Sequence, residues 1–448
     1  MNPKTLILPL LLALAITVTN AQPSPTPAPA PANSPAATRG ADPFVKDPSA
    51  SPSPDSQSEK PVGVIILRFT IEVYALAQAD AVHILEGSTD GEARHTSVLA
   101  LENKGKARLE TLLSEVNKSG QRAVVEQVDE FRYPTSFFVS GTNSSPTDYE
   151  TRNAGSTLEW EPMLSQDNKT CDMNMVPQTV RLAGFRDEAP GLKPAGQPIF
   201  ETQKFTTAQI LATGRNELLG TFSRAPREES PGADPQESEE VRLAFGRVDL
   251  VEIPPGKLLR SPDDSGTVEQ RLTLFSMDRD AARNILAAPP APGACYAAVQ
   301  ALVDQGKARL ERTNVLITKT GQRAVVEEVR EIRYAVFDNA ADFETRNTGL
   351  TMEIEPTLGL YGIVDISIVP QLVQFVGDFQ GSGPTGAAAK YPPSPLFRTR
   401  KITTALSAGL GEQAFLGTFS SPGDDGIEGE RDDGKVWLAF LLTNLVHP

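Results

Sequence analysis

The sequence predicts an α+β, β-rich fold of two tandem homologous domains, each a short helical segment followed by a mostly antiparallel sheet. Three observations predict it. The run Gly120-Gln121-Arg122-Ala123-Val124-Val125-Glu126 recurs residue for residue as Gly321 to Glu327, and Gly105 to Glu110 recurs as Gly306 to Glu311. A repeat this much longer than a solenoid period marks duplicated domains rather than an array. Apolar and polar residues then alternate at matching places, Leu158 and Trp160 against Glu159 and Glu161, Met352 and Ile354 against Glu353 and Glu355. That two-residue period belongs to strands with one buried face. Finally, the length differences between the repeats sit in polar loops, whereas the matches sit in apolar segments.

From the N-terminus, Lys4, the apolar run Leu6 to Val18 and small Thr19 and Ala21 have the order of a secretory signal peptide over residues 1–21. The run is too short for a membrane-spanning helix, which needs about 20 apolar residues. An uncleaved anchor is the alternative. Residues 22–61 are Pro, Ala and Ser, a composition that buries no core and forms an extended tether. Domain copy 1 covers 62–253, a Pro/Gly/Asp connector covers 254–266, and copy 2 covers 267–448. A formal charge of −15 with only 42 basic residues argues against nucleic acid as a partner.

Each copy opens with a strand, Phe69 to Leu76 or Arg271 to Met277, followed by a helix that Asp80 or Asp280 can cap. Val299, Leu302 and Val303 form an i, i+3, i+4 stripe on a second short helix. Lys106 to Glu115, or Lys307 to Thr318, then leads through a turn at Ser119-Gly120 or Thr320-Gly321 into the repeated run, and the two segments read as a hairpin. Cys171, Met173 and Met175 face inward on a later strand, as do Val364, Ile366 and Ile368. Pro177 and Pro370 mark a strand end, bulge or edge. Strands Lys204 to Ala212, Glu217 to Phe222 and Val241 to Val248 finish copy 1, with counterparts Lys401 to Ser407, Gln413 to Phe419 and Val436 to Val446. In the last of these, Trp437, Ala439 and Leu441 replace a polar face, which makes them the candidate interaction surface. The sister domain, another chain or lipid could cover them.

Signals for chemistry are sparse. His83, His95 and His447 correspond to Asn284, Tyr296 and Glu252, so no histidine triad or metal cluster belongs to the repeated unit. Glu159 with Glu161, and Glu353 with Glu355, stand about 6.6–6.8 Å apart along a strand face. Paired glutamates at that separation suit glycoside chemistry, and a solvated strand face has the same spelling. The acidic loops Arg227 to Glu240 and Asp424 to Asp433 lack the EF-hand spacing for Ca²⁺ and read as solvated charge. Cys171 reads as a buried thiol, and a bridge to Cys295 is open in an exported chain. Asn117, Asn143 and Asn168 begin glycosylation sequons. No cofactor is expected, and the chain is expected not to be an enzyme.

The ordered set Gly-Gln-Arg-Ala-Val-Val-Glu, Glu-Thr-Arg-Asn, a Leu-x-Trp-x-Pro or Met-x-Ile-x-Pro strand opened by Gly155 or Gly349, Val-Pro-Gln, and a Thr-rich strand ending in Leu-Gly resembles the secretin family. Secretins are the outer-membrane pore subunits of type II and type III secretion and type IV pili. The likeness runs from about Lys106 to Val248 and from Lys307 to Val446. It implies the β-rich secretin module and export to the periplasm or outer membrane of a diderm bacterium, with protein partners or self-association at the cell envelope. This chain departs from the family at Thr221 and Thr418, where a second glycine is usual, and carries a Pro-rich tether in place of small ring-forming domains. The expectation is therefore a non-enzymatic structural or interaction protein, with a ring-forming outer-membrane channel subunit as the alternative and a carbohydrate-acting enzyme using the paired glutamates third.

Overall fold

The two-residue alternation becomes two antiparallel sheets. A computed structural model describes residues 62–140, 143–186, 197–223, 240–259, 266–335, 343–379, 394–420 and 435–446. Its N-terminal half contains β1 (Val64–Ala77), α1 (Gln78–Gly87), α2 (Gly91–Glu102), β2 (Ala107–Asn117), β3 (Ala123–Ser140), β4 (Asn143–Leu164), β5 (Thr170–Arg186), β6 (Gln197–Lys204), β7 (Thr207–Ala212), β8 (Asn216–Ser223) and β9 (Glu240–Ile253). The C-terminal half contains β10 (Thr267–Asp278), α3 (Arg279–Ala287), α4 (Ala294–Asp304), β11 (Ala308–Lys319), β12 (Ala324–Ala335), β13 (Phe343–Leu358), β14 (Ile363–Phe379), β15 (Ser394–Gly409), β16 (Gln413–Phe419) and β17 (Lys435–Val446).

The first sheet has the order β11-β10-β17-β16-β2-β1-β9-β8 and the second β12-β13-β14-β15-β3-β4-β5-β6, with β7 also on β5. Each half thus supplies a block of strands to both sheets, in matching order. The halves do not stand apart as separate domains: both sheets run across them, and all described residues belong to one unit, Lys60–Pro448. The expected hairpin is also corrected. β2 pairs with β1 while β3 pairs with β4, so the turn after Asn117 carries the chain from one sheet to the other, and the turn after Lys319 does the same. β2 spends its length on a ladder with β1 from Ala107 to Asn117, and β3 on a ladder with β4 from Ala123 to Ser140, so the two segments enter different sheets.

The alternation finds its core between the sheets. Leu158, Trp160, Cys171, Met173, Met175, Met352, Ile354, Val364, Ile366 and Ile368 are all buried there with Phe69 and Leu272. Phe69 and Trp160 touch across the gap, ring centroids 5.4 Å apart. Burying side chains of this size is worth about 1.5–3 kcal/mol each. The helices lie on the other face of the first sheet over Tyr74, Phe245, Phe275 and Phe440. Asp80 and Asp280 sit in the first turns of α1 and α3 without capping them; Asp90 caps α2 by accepting from the Ala93 amide at 2.8 Å. Their charge still complements the helix dipole.

Pro370 lies within β14, where the ladder to β15 lapses between Ile368 and Gln371. Pro177 marks the point on β5 at which the partner changes from β7 to β6. A residue with no N–H fits where no ladder bond is made. Gly155 and Gly349 have φ of +141° and +130°, and a Cβ on them would stand 2.2 Å from the Gln127 carbonyl oxygen and 2.0 Å from that of Glu328.

Candidate assembly interface

The seam between the halves is built from β15 against β3 in the second sheet and β16 against β2 in the first. Phe397 to Thr403 pair in register with Glu130 to Val124. Side chains reinforce the ladder. Arg398 donates to both carboxylate oxygens of Asp129, at 2.7 and 2.8 Å, and both residues are buried. Arg346 forks onto Glu130, to which Thr399 also donates at 2.9 Å. Arg400 donates to Gln127 at 3.0 Å and lies over the Trp437 ring, 4.2 Å from its centroid. Lys118 pairs with Asp365 at 2.5 Å. In the first sheet backbone pairing is confined to Gly417 and Glu115, and a hydroxyl takes over where Ser114 N–H donates to Thr418 at 2.8 Å; Thr404 on β15 of the second sheet donates to the Val116 carbonyl of β2.

Glu115 stands at this seam with no exposed surface, accepting from Trp160 Nε1 at 2.8 Å. Burial pushes its carboxyl well above the ordinary range against the pull of that hydrogen bond. Glu110 shows the opposite balance. Burial raises it, but Arg181 and Arg242 outweigh burial and take it down to about 2. Glu110 on β2 accepts from Arg242 on β9 at 2.8 Å and from Arg181 on β5 at 2.6 Å, which ties the two sheets together.

The strands that form the seam have counterparts at the outer edges. By the sequence match β16 and β15 correspond to β8 and β6–β7, and β2 and β3 correspond to β11 and β12. Those counterparts lie at the outer edges of the two sheets: β11 and β8 end the first, β12 and β6 end the second, and β7 pairs with β5 beside β6. Their burial differs accordingly. Val116 is 2% exposed and its counterpart Ile317 is 55%; Leu109 is 5% and Leu310 49%; Val128 is 6% and Val329 44%; on the other flank Leu396 is 3% and Ile199 43%. Open strand edges bearing exposed apolar side chains are templates for further pairing.

The residues singled out in the sequence fall elsewhere. Ala439 and Leu441 are buried between the sheets, with Trp437 packed against the same core under Arg400. The covering of β17 is therefore the chain itself: Ala439 and Leu441 offer no outer surface, and Trp437 is partly buried. Helices cover its other face at Leu438 and Phe440, which is why both faces are apolar. Glu159 pairs with Arg122 at 2.6 Å and Glu353 with Arg323 at 2.5 Å, one carboxylate of each candidate pair being held by an arginine on the outer face. His95 meets Glu72 at 2.7 Å, and Tyr74 donates to the same carboxylate. Cys171 and Cys295 are free thiols; burial pushes them up to about 11 and about 12. Asn117 is buried in β2. Both acidic loops lie outside the described residues, apart from Glu240 at the start of β9. Among the described residues no group of three His, Cys, Asp or Glu is placed to hold a metal, and no helix is long and apolar enough to cross a membrane. The sequence reading passes over Asp129, Glu130, Arg346 and Arg398. The signal available was the change of charge at some counterpart positions of the repeat.

Compared with known proteins, the chain matches no family model and no curated sequence. It is similar to solved secretins. These include the type II secretin GspD of enteropathogenic Escherichia coli, at TM-score 0.22 and 12% identity over 41% of this chain and 67% of that one. The secretin InvG of the Salmonella SPI-1 type III secretion injectisome gives TM-score 0.24 and 11% identity over 52% and 88%. The pilotin–secretin AspS–GspD complex of ETEC gives TM-score 0.23 and 7% identity over 87% and 50%. The chain spans about half the length or less of several secretins that it matches.

Proposed function

We propose that this protein is a non-enzymatic structural subunit of the bacterial cell envelope, linked to protein secretion, that assembles by joining copies of itself head to tail. Its halves are two copies of one secretin-like module, and the seam between them is the joint that recurs between chains. The observation that carries this reading is the placement of the edge strands: β8 with β6–β7 on one flank, and β11 with β12 on the other, are counterparts of the two sides of the internal seam. A joint between unlike flanks is heterologous, and it closes into a ring or continues as a strip according to the rotation per step. The two stacked sheets would give such an assembly a double β wall. The repeated motifs, in secretin order, support the link to secretion and the envelope, and the N-terminal signal-peptide pattern supports export.

Sedimentation and native mass measurement of the purified full-length protein test this. Multiples of the chain mass, with a closed or striped outline in negative stain, are expected. A monomer at every concentration in both buffer and detergent overturns it. A channel in the outer membrane is the form of this reading in which the closed ring sits in lipid. Heat-resistant multimers in outer-membrane fractions are its expected outcome, and recovery only from soluble fractions excludes that form.

A further inference from the structure

Four strand edges take part in the internal and the recurring joint, and their charges differ in a way that decides which edge accepts which. In the internal seam Arg398 on β15 faces Asp129 on β3, in register. Their counterparts in the repeat are Glu201 on β6 and Arg330 on β12. The alignment is anchored on both sides: Leu182 pairs with Phe200 as Phe375 pairs with Phe397, and both ladders shift register at the next step. The neighbouring pair keeps its sense. Arg346 and Glu130 of the seam correspond to Arg152 and Glu331, and Arg152 already reaches Thr202 as Arg346 reaches Thr399. So does Lys118 with Asp365, whose counterparts are Lys319 and Asp172. One salt bridge is reversed, while the Arg346–Glu130 and Lys118–Asp365 pairs keep their sense.

We infer that Glu201 of one chain faces Arg330 of the next, and that this reversed ion pair makes assembly strictly alternating, N-terminal half against C-terminal half. The inference rests on the head-to-tail reading above. Of the four combinations of edges, the two that join unlike halves set Arg398 on Asp129 or Glu201 on Arg330. The two that join like halves set Glu201 on Asp129 or Arg398 on Arg330, and like charges opposed in a desolvated joint are strongly unfavourable. The partner is a second copy of this chain. The repulsive combinations exclude strand exchange between like halves, an alternative that a duplicated sequence would otherwise leave open.

Glu201→Arg and Arg330→Glu, separately, together and mixed, test it in the full-length chain by sedimentation. Each single variant carries the same charge on both outer flanks and is expected to self-associate at least about tenfold more weakly than the parent. The double variant reverses both flanks and is expected to recover assembly, as is an equimolar mixture of the two single variants. Unfolding midpoints close to the parent's show that each variant folds. Assembly by the parent and by both single variants alike overturns the pairing while leaving head-to-tail assembly in place. Loss in the single variants with no recovery in the double variant or the mixture also overturns it. A parent that stays monomeric overturns the underlying reading itself.

Discussion

Replacing Asp129 with alanine tests the seam most directly. Asp129 and Arg398 are buried at side-chain exposures of 3% and 9%, and Arg398 is held by a two-pronged bridge at 2.7 and 2.8 Å. Breaking such a buried pair by removing one partner costs about 3–5 kcal/mol. Replacing both by apolar residues of similar volume, Asp129→Leu with Arg398→Met, removes both charges together and is expected to stay within about 1 kcal/mol of the parent. The counterpart Glu201 lies on an edge strand of the single chain and is only half-buried. Glu201→Ala is therefore expected to change the stability of the monomer by about 0–1 kcal/mol. Urea unfolding of the three variants, with the slope checked against the parent's, reads these differences as shifts in midpoint. A loss below about 1 kcal/mol for Asp129→Ala, or a double variant as damaged as the single one, would refute the claim that this pair is a desolvated bridge between the halves.

Three further outcomes are expected. Burial raises the Glu115 carboxyl in the folded chain. Its contribution is therefore fully present below the unfolded value of 4.5 and is lost as pH rises from there toward the folded value, by up to about 1.4 kcal/mol per pH unit. Glu115→Gln is expected to gain on the parent as pH rises, and parallel pH profiles of the two urea midpoints would contradict this. Gly349→Ala forces a Cβ to 2.0 Å from the Glu328 carbonyl oxygen at φ +130°, so it should destabilise by at least about 2 kcal/mol in thermal unfolding, and a neutral result would count against the close approach of β12 and β13. With thiols pushed up to about 11 and about 12, Cys171 and Cys295 should react slowly with a thiol reagent in the folded chain at neutral pH and both react once unfolded; an unfolded chain with no titratable thiol would show a bond between them.

Local pattern carried much of this protein into view. Leu158 and Trp160, or Met352 and Ile354, face the core because a strand turns alternate side chains to opposite sides wherever it lies. The repeated seven-residue run predicts the same local structure at both places, because identical segments in one chain bring identical local preferences. Gly155 and Gly349 stood out in both copies for the same reason. What alternation could not contain is which strand lies beside which. The segments from Ala107 and Ala123 read as a hairpin because they adjoin in the chain, whereas the longer ladders to β1 and β4 take them into different sheets. β17 looked like a contact surface because its sequence is apolar on both faces, and only the stacking of helices, sheet and second sheet shows that each face is already covered. The joining of the halves is likewise a tertiary fact. Asp129 and Arg398 stand 269 positions apart in the chain, and no periodicity reaches that far. Hydrogen-bond register and burial set them face to face, and the same register gives Glu201 and Arg330 a meaning that neither has in its own stretch of sequence.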